Sequence, residues 1–360
     1  MELFSKKLNK QEIFKRIGDI SQLGGIKKYI FSDGVSSGMR AIDIKTPGGL
    51  DLTILPDRGM DISNFFYKSI PLCWKSSTRE TSPSYYNNSG YEWLKTFFGG
   101  FLTTCGLLNT GPPNTDEGEE LGLHGRISNI SAYNVNTFDE WKDDEYCMFV
   151  EGRVREASVF GNKLELYRKV TVPVSEPKII IEDTVENIGH KISPLMILYH
   201  INIGYPVIDE NAELIEGKAD VIPRDEEAKN GFKEFNRFSE PVKDYKEKVY
   251  YHDIESDSEG NSNIAIVNDS FNNKEGLGIL LKFNKDNLPY LAQWKQLGTG
   301  EYVCGIEPCN NFAMGRKTER ETGRLKFIEP GQKIKLRLEA VILKSNYEIK
   351  KLKQQFVNLN

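Results

Sequence analysis

Apolar and polar residues alternate along most of this chain, and a period of two predicts strands rather than helices. The plainest case lies near the C-terminus, where Ile334, Leu336, Leu338, Ala340 and Ile342 fall on one face while Lys335, Arg337 and Glu339 fall on the other. One face of that strand is expected to be buried and the other wet. Glu329-Pro330-Gly331-Gln332 supplies a tight turn just before it. Comparable patterns predict strands over 148–154, 164–172, 179–185 and 277–283, and the segments 41–45 and 50–55 flank Thr46-Pro47-Gly48-Gly49 as a hairpin. Helical spacing is confined to the ends: Ile13, Phe14, Ile17 and Ile20 predict one amphipathic helix over 10–23, and 347–356 a second short one.

No strand, glycine-rich turn and helix follow one another, which disfavours a doubly wound nucleotide-binding fold. Many strands separated by turn signals predict an all-β fold, a large antiparallel sandwich with a short N-terminal helix. The expected organisation is one domain over 1–360, with a helical segment at 1–25 and long polar loops or a peripheral insertion at 209–261. That last stretch is rich in Asp, Glu, Lys and Asn.

The chain is 39 % hydrophobic and 28 % charged, with a formal net charge of -5, so it has the means to bury a large core and no global pull toward nucleic acid or anionic membrane. Five cysteines without a C-x-x-C pair suit free thiols in a reducing compartment. The first residues break their apolar positions with Lys, Arg, Glu and Asp, and no later stretch is apolar enough to span a bilayer. The expectation is a cytoplasmic protein whose partner is a small molecule, with neither nucleic acid nor membrane.

Candidate chemistry gathers around two of the four histidines and one carboxylate. His124 sits between Gly122-Leu123 and Gly125-Arg126, where the backbone must turn or approach something closely. His200 ends the apolar run Pro194 to Tyr199, and Asn202 shares its face. Glu307 lies between Gly305 and Pro308 in a strand-like segment. Histidine exchanges protons near neutrality, and a carboxylate beside it serves as the opposing base. Arg58 and Arg126 offer forked donors for a hydroxyl or an anionic substituent, with a salt bridge to Asp57 or Asp61 as the structural alternative for Arg58. Trp294, followed by Lys295, offers an aromatic face for a pyranose ring. His190 and His252 read as ordinary surface residues.

The order of these segments resembles the aldose 1-epimerase (galactose mutarotase-like) superfamily, and an incompletely characterised subgroup within it. The resemblance rests on Leu123-His124-Gly125, on His200 after a strand, on the late Glu307 and on the Pro330-Gly331 turn before a final long strand, and it covers 52–343. It implies a β-supersandwich that binds a sugar on one face of a large sheet and needs no cofactor or metal. It also implies Glu307 as base toward the anomeric hydroxyl, His200 as acid toward the ring oxygen, and His124 as an orienting histidine. Substrate binding is expected from Arg58, Arg126, Asn202, Trp294 and Lys295. The chain departs from the pattern where His-Gly-Gly becomes His124-Gly125-Arg126 and where the second histidine stands in Tyr199-His200-Ile201-Asn202, so the sugar is left open, an anionic one included. Two other classes stay open: a sugar-binding or sensing protein without catalysis, and a metal-dependent isomerase or lyase using His124, His200 and Glu307 as ligands.

Overall fold

Two antiparallel sheets, one of eight strands and one of twelve, form the body of the computed structural model, which describes residues 2–3, 6–142 and 145–359. The eight-stranded sheet runs Tyr133–Lys142, Glu145–Ala157, Lys163–Pro173, Lys178–Asn187, Lys333–Leu343, Leu277–Asn284, Asn261–Asn268, Glu213–Glu216. Every internal strand predicted from alternation is present, and in Lys333–Leu343 the residues Leu336, Leu338, Ala340 and Ile342 are buried while Lys335 and Arg337 are exposed. The 41–55 hairpin forms as Arg40–Lys45 and Leu50–Leu55, with Ile42 opposite Ile54 and Ile44 opposite Leu52.

The centre of the twelve-stranded sheet positions the site. There Lys248–Ile254, Tyr290–Gly298, Glu301–Cys309, Ser193–Gly204 and Leu102–Leu107 lie side by side. All twelve residues of Ser193–Gly204 are buried, so both its faces are covered. Its odd positions Ile197, Tyr199, Ile201 and Ile203 enter the core between the sheets, whereas Leu198 joins a separate apolar cluster on the outer face with Trp93, Phe97, Val249 and Tyr251. The same division holds on the neighbours: Leu291, Leu297, Cys304 and Ile306 face the core, and Ala292 and Cys309 face outward.

Three expectations are corrected. The helix expected over 10–23 is only Lys10–Phe14 plus a single turn at Ile20–Gln22. Asn9 and Glu12 close a capping box on the first piece and the Asp19 side chain caps the second, so Gly18-Asp19 restarts the chain where apolar spacing alone suggested continuity. Residues 1, 4 and 5 of the expected 1–25 helical segment lie outside the described residues.

The polar stretch 209–261 contributes strands to both sheets, at Glu213–Glu216, Ala219–Pro223 and Lys248–Ile254. Ala219–Pro223 is an edge strand that wets alternate residues, which lowers the average apolarity of the stretch without removing its strands. His252, expected at the surface, is buried. Its Nδ1 lies 2.9 Å from Glu216 of the opposite sheet and its Nε2 lies 3.2 Å from Gln293 Oε1.

The helix Asn346–Leu359 covers the predicted 347–356 segment and packs Ile349, Leu352 and Phe356 on Ala265, Val267 and Leu280. Among the described residues no helix is long and apolar enough to cross a membrane. All five cysteines are buried, and Cys73, Cys105, Cys304 and Cys309 are free thiols.

Candidate active site

Period-two alternation delivers the site as directly as it delivers the core. With Tyr199 and Ile201 committed to the interior, His200 must face outward. With Ile306 interior, so must Gly305 and Glu307. The register places Ala292 opposite Glu307 and Trp294 opposite Gly305 on the adjacent strand. His200 Nε2 thereby comes to lie 3.1 Å from Glu307 Oε1, with both side chains almost wholly buried.

The contact is close without being an aligned hydrogen bond: Glu307 Oε1 and His200 Nδ1 have no hydrogen-bonding partner among the described residues. Buried polar atoms are rarely left so, and here both residues line a cavity of about 750 Å³. Burial pushes the Glu307 carboxyl well above the usual carboxylate range, the nearby Glu247 charge adds to this, and Arg224 opposes it. Burial, with the neighbouring His124, holds the His200 imidazole down at about 3. Burial thus keeps the imidazole uncharged and favours the protonated form of the carboxyl beside it.

Gly305 makes this geometry possible. A Cβ there would stand 2.3 Å from Glu307 Oε1 and 3.2 Å from Trp294 Cβ. The carboxyl therefore rests over the glycine, in space any side chain would occupy.

His124 occupies the left-handed backbone region at φ 56° and is followed by Gly125 at φ 72°. Histidine tolerates that region better than bulky or branched residues do. A Cβ on Gly125 would stand 2.4 Å from Gly106 O, so the turn is fixed by close backbone approach. His124 Nδ1 accepts from Gly111 N at 3.3 Å, which places the ring proton on Nε2 as a donor. Burial holds this imidazole at about 4, neutral across the physiological range. Its ring centroid lies 5.9 Å from that of His200.

Aromatic rings enclose the pair. Trp294 stands 5.3 Å from His200 edge to face, Phe97 stands 5.1 Å from it, and Trp93 lies 4.9 Å from His124. Trp294 Nε1 donates to Glu247 Oε2 at 2.7 Å, and Glu247 Oε1 accepts from Arg224 at 3.0 Å. An apolar cavity with a few convergent polar groups of shifted pKa is the usual form of a small-molecule site.

Of the residues expected in the site, His124, His200, Glu307 and Trp294 line this cavity. Four others do not. Arg58 is fully buried elsewhere, its guanidinium donating to the carbonyls of Ser128, Thr81 and Thr96 at 2.7, 2.7 and 2.9 Å. Arg126 is exposed and outside the lining. Asn202 shares the outward face with His200 but is covered, donating to Gly100 O and His200 O, both at 3.0 Å. Lys295 points opposite to Trp294 and donates to the carbonyls of Glu234 and Arg237.

Trp74, Trp93, Phe97, Arg224, Glu247 and Gln296 line the cavity without having been anticipated. Arg224 and Glu247 fall in the polar stretch read as loops; the alternating Lys-Val-Tyr-Tyr-His run directly after Glu247 was the available signal of a strand there. Among the described residues no three His, Cys, Asp or Glu side chains are arranged to hold a metal ion.

Comparison with known proteins agrees with this architecture. A family profile described as a domain of unknown function, DUF4432, matches residues 36–342. A Klebsiella pneumoniae structure provisionally named an aldose 1-epimerase superposes with a TM-score of 0.87 at 23 % identity, over 96 % of this chain and 94 % of that one. A galactose mutarotase-like protein from Clostridium acetobutylicum gives 0.64 at 14 % identity over 90 % and 99 % of the two chains. A galactose 1-epimerase from Lactobacillus acidophilus gives 0.54 at 12 % over 90 % and 100 %. No curated protein matches the sequence. The fold is the galactose mutarotase-like β-sandwich.

Proposed function

The chain belongs to the DUF4432 family, and we propose that it is an aldose 1-epimerase, interconverting the α and β anomers of a sugar by acid/base opening and closure of its ring. One observation carries the reading: His200 Nε2 and Glu307 Oε1 stand 3.1 Å apart at a buried cavity wall, each side chain with an unpartnered buried atom. The anomeric hydroxyl and the ring oxygen sit on the same carbon, so an acid and a base this close together reach both.

The pair holds one exchangeable proton. Burial favours its place on Glu307 when the cavity is empty. Polar contacts from a bound sugar restore solvation and let it pass to His200, giving a carboxylate base and an imidazolium acid. Glu307 then takes the anomeric proton while His200 protonates the ring oxygen. The C1–O5 bond breaks, the aldehyde turns about C1–C2, and closure with the two roles exchanged gives the other anomer. His124, a neutral Nε2–H donor, polarises or orients the sugar, and Trp294 offers its face to the ring. Nothing in this scheme calls for a cofactor, and the free thiols of Cys73, Cys105, Cys304 and Cys309 suit a cytoplasmic setting.

Anomer exchange followed by NMR saturation transfer or polarimetry across a sugar panel tests this. Wild type accelerates exchange, and His200→Ala and Glu307→Gln each lose about 10²- to 10⁴-fold. Variants as fast as wild type refute the assigned roles, and binding without acceleration by wild type identifies a sugar-binding protein instead.

A further inference from the structure

The outward face of Tyr290–Gly298 continues past the reacting pair. After Ala292 and Trp294 comes Gln296, a residue of the cavity lining whose Oε1 is buried and has no hydrogen-bonding partner among the described residues. Gln296 pairs with Val303 and Trp294 with Gly305, over which the Glu307 carboxyl rests. Gln296 thus stands two residues, about 7 Å, along the sheet from the carboxyl, and the cavity continues to Glu301 in the next turn, four residues or about 14 Å away. One pyranose seated on His200 and Glu307 leaves that end empty. The cavity volume of about 750 Å³ lies in the upper part of the range of about 300–1,000 Å³ for small-molecule sites, room for more than one six-membered ring.

Tyr91 and Leu94 also line the cavity, at 62 % and 51 % exposure. They offer apolar surface suited to the C–H face of a further sugar ring. The charges in the wall are spoken for. Arg224 is held between Asp225 at 2.8 Å and Glu247 at 3.0 Å, and the remaining acidic side chains among the described lining residues are Glu301 and Glu307. Among the described lining residues, a phosphate or carboxylate entering the cavity meets acidic groups and no unpaired Lys or Arg.

Resting on the epimerase reading, we propose that the substrate is an uncharged aldose of disaccharide size. Its reducing ring lies over His200 and Glu307, and its second unit lies along Gln296 toward the Glu301 turn, where a hydroxyl donates to Gln296 Oε1.

The test compares kcat/KM for anomer exchange of glucose and galactose with that of cellobiose, lactose and maltose, and includes glucose 6-phosphate and glucuronate. At least one neutral disaccharide is expected to exceed both monosaccharides about tenfold. In Gln296→Leu the disaccharide-to-monosaccharide ratio is expected to fall threefold to tenfold, about the value of one hydrogen bond; a folding defect does not move that ratio. Disaccharides no better than monosaccharides, a charged sugar as the best substrate, or an unchanged ratio in Gln296→Leu overturns the proposal while leaving epimerisation standing. If wild type accelerates no sugar, the epimerase reading fails, and calorimetric titration of methyl cellobioside, methyl lactoside and methyl maltoside against methyl glucoside decides the subsite. Tighter binding of a disaccharide glycoside upholds it, and equal or weaker binding of all three overturns it.

Discussion

Gly305→Ala separates the placing of the carboxyl from its presence. The added Cβ would stand 2.3 Å from Glu307 Oε1 and 3.2 Å from Glu307 Cδ, while ordinary contact begins at 3.4 Å. The carboxyl must retreat by about 1 Å, and a shift of that size costs on the order of 10²-fold in rate when it displaces a reacting group. Folding is expected to change little. The obstructing atom is the far end of a flexible side chain, the closest other contact is Trp294 Cβ at 3.2 Å, and replacing a strand glycine gains about 0.4–1 kcal/mol from the unfolded chain. The variant should therefore melt within about 1 kcal/mol of wild type and exchange anomers about a hundredfold more slowly. A cycle with Glu307→Gln closes the test: in that background Gly305→Ala should cost almost nothing further, because the group it displaces has already lost its proton chemistry. Near-wild-type exchange in Gly305→Ala, or full additivity in the double variant, refutes the claim that Gly305 sets the position of a catalytic Glu307.

Two further outcomes follow from a buried and a half-buried group. Arg58→Met strands the carbonyls of Ser128, Thr81 and Thr96; urea denaturation should show a loss on the order of 3–5 kcal/mol, and a loss below about 1 kcal/mol would mean those carbonyls find other donors. His124 is held down at about 4 from an ordinary 6.5, so its share of stability is complete above pH 6.5 and is lost as pH falls through about 4. That loss amounts to about 3 kcal/mol by the lower value. His124→Asn, which keeps a residue tolerant of the left-handed backbone, should flatten the fall in melting temperature over that window by the equivalent of one proton, and an unchanged slope would show that the ring is not buried neutral.

The sheets were legible because each strand with one face on the core must alternate, and the chain does so in nearly every strand. That His124, His200 and Glu307 would meet at one cavity was legible because each stands beside glycine or proline, or at the end of an apolar run. The arginines were not. A guanidinium that binds a ligand and one that ties up main-chain carbonyls look alike in sequence, and only the convergence of 81, 96 and 128 on Arg58 tells them apart. Lys295 is a different failure. If Trp294 faces the cavity, strand geometry sends its neighbour to the other side, so alternation already excluded it. Arg224 and Glu247 were lost because an edge strand, an exposed helix and turns average out to a polar composition.

The same alternation ties the chemistry to the stability of the core. Tyr199, one position before His200, donates its hydroxyl to Asp183 Oδ2 at 2.8 Å. Arg168 binds that carboxylate at 2.7 Å and Asp61 at 3.0 Å, with all three side chains fully shielded from water. Asp61 also receives Thr104 N and Oγ1 from the strand on the other flank of Ser193–Gly204. Such a network adds little net stability over apolar packing, since desolvation offsets attraction, but it has one satisfying arrangement. A slip of Ser193–Gly204 by one residue would bury His200 against Arg168 and turn Tyr199 into the cavity. The buried ions make that register costly, and in doing so they hold the imidazole opposite Glu307.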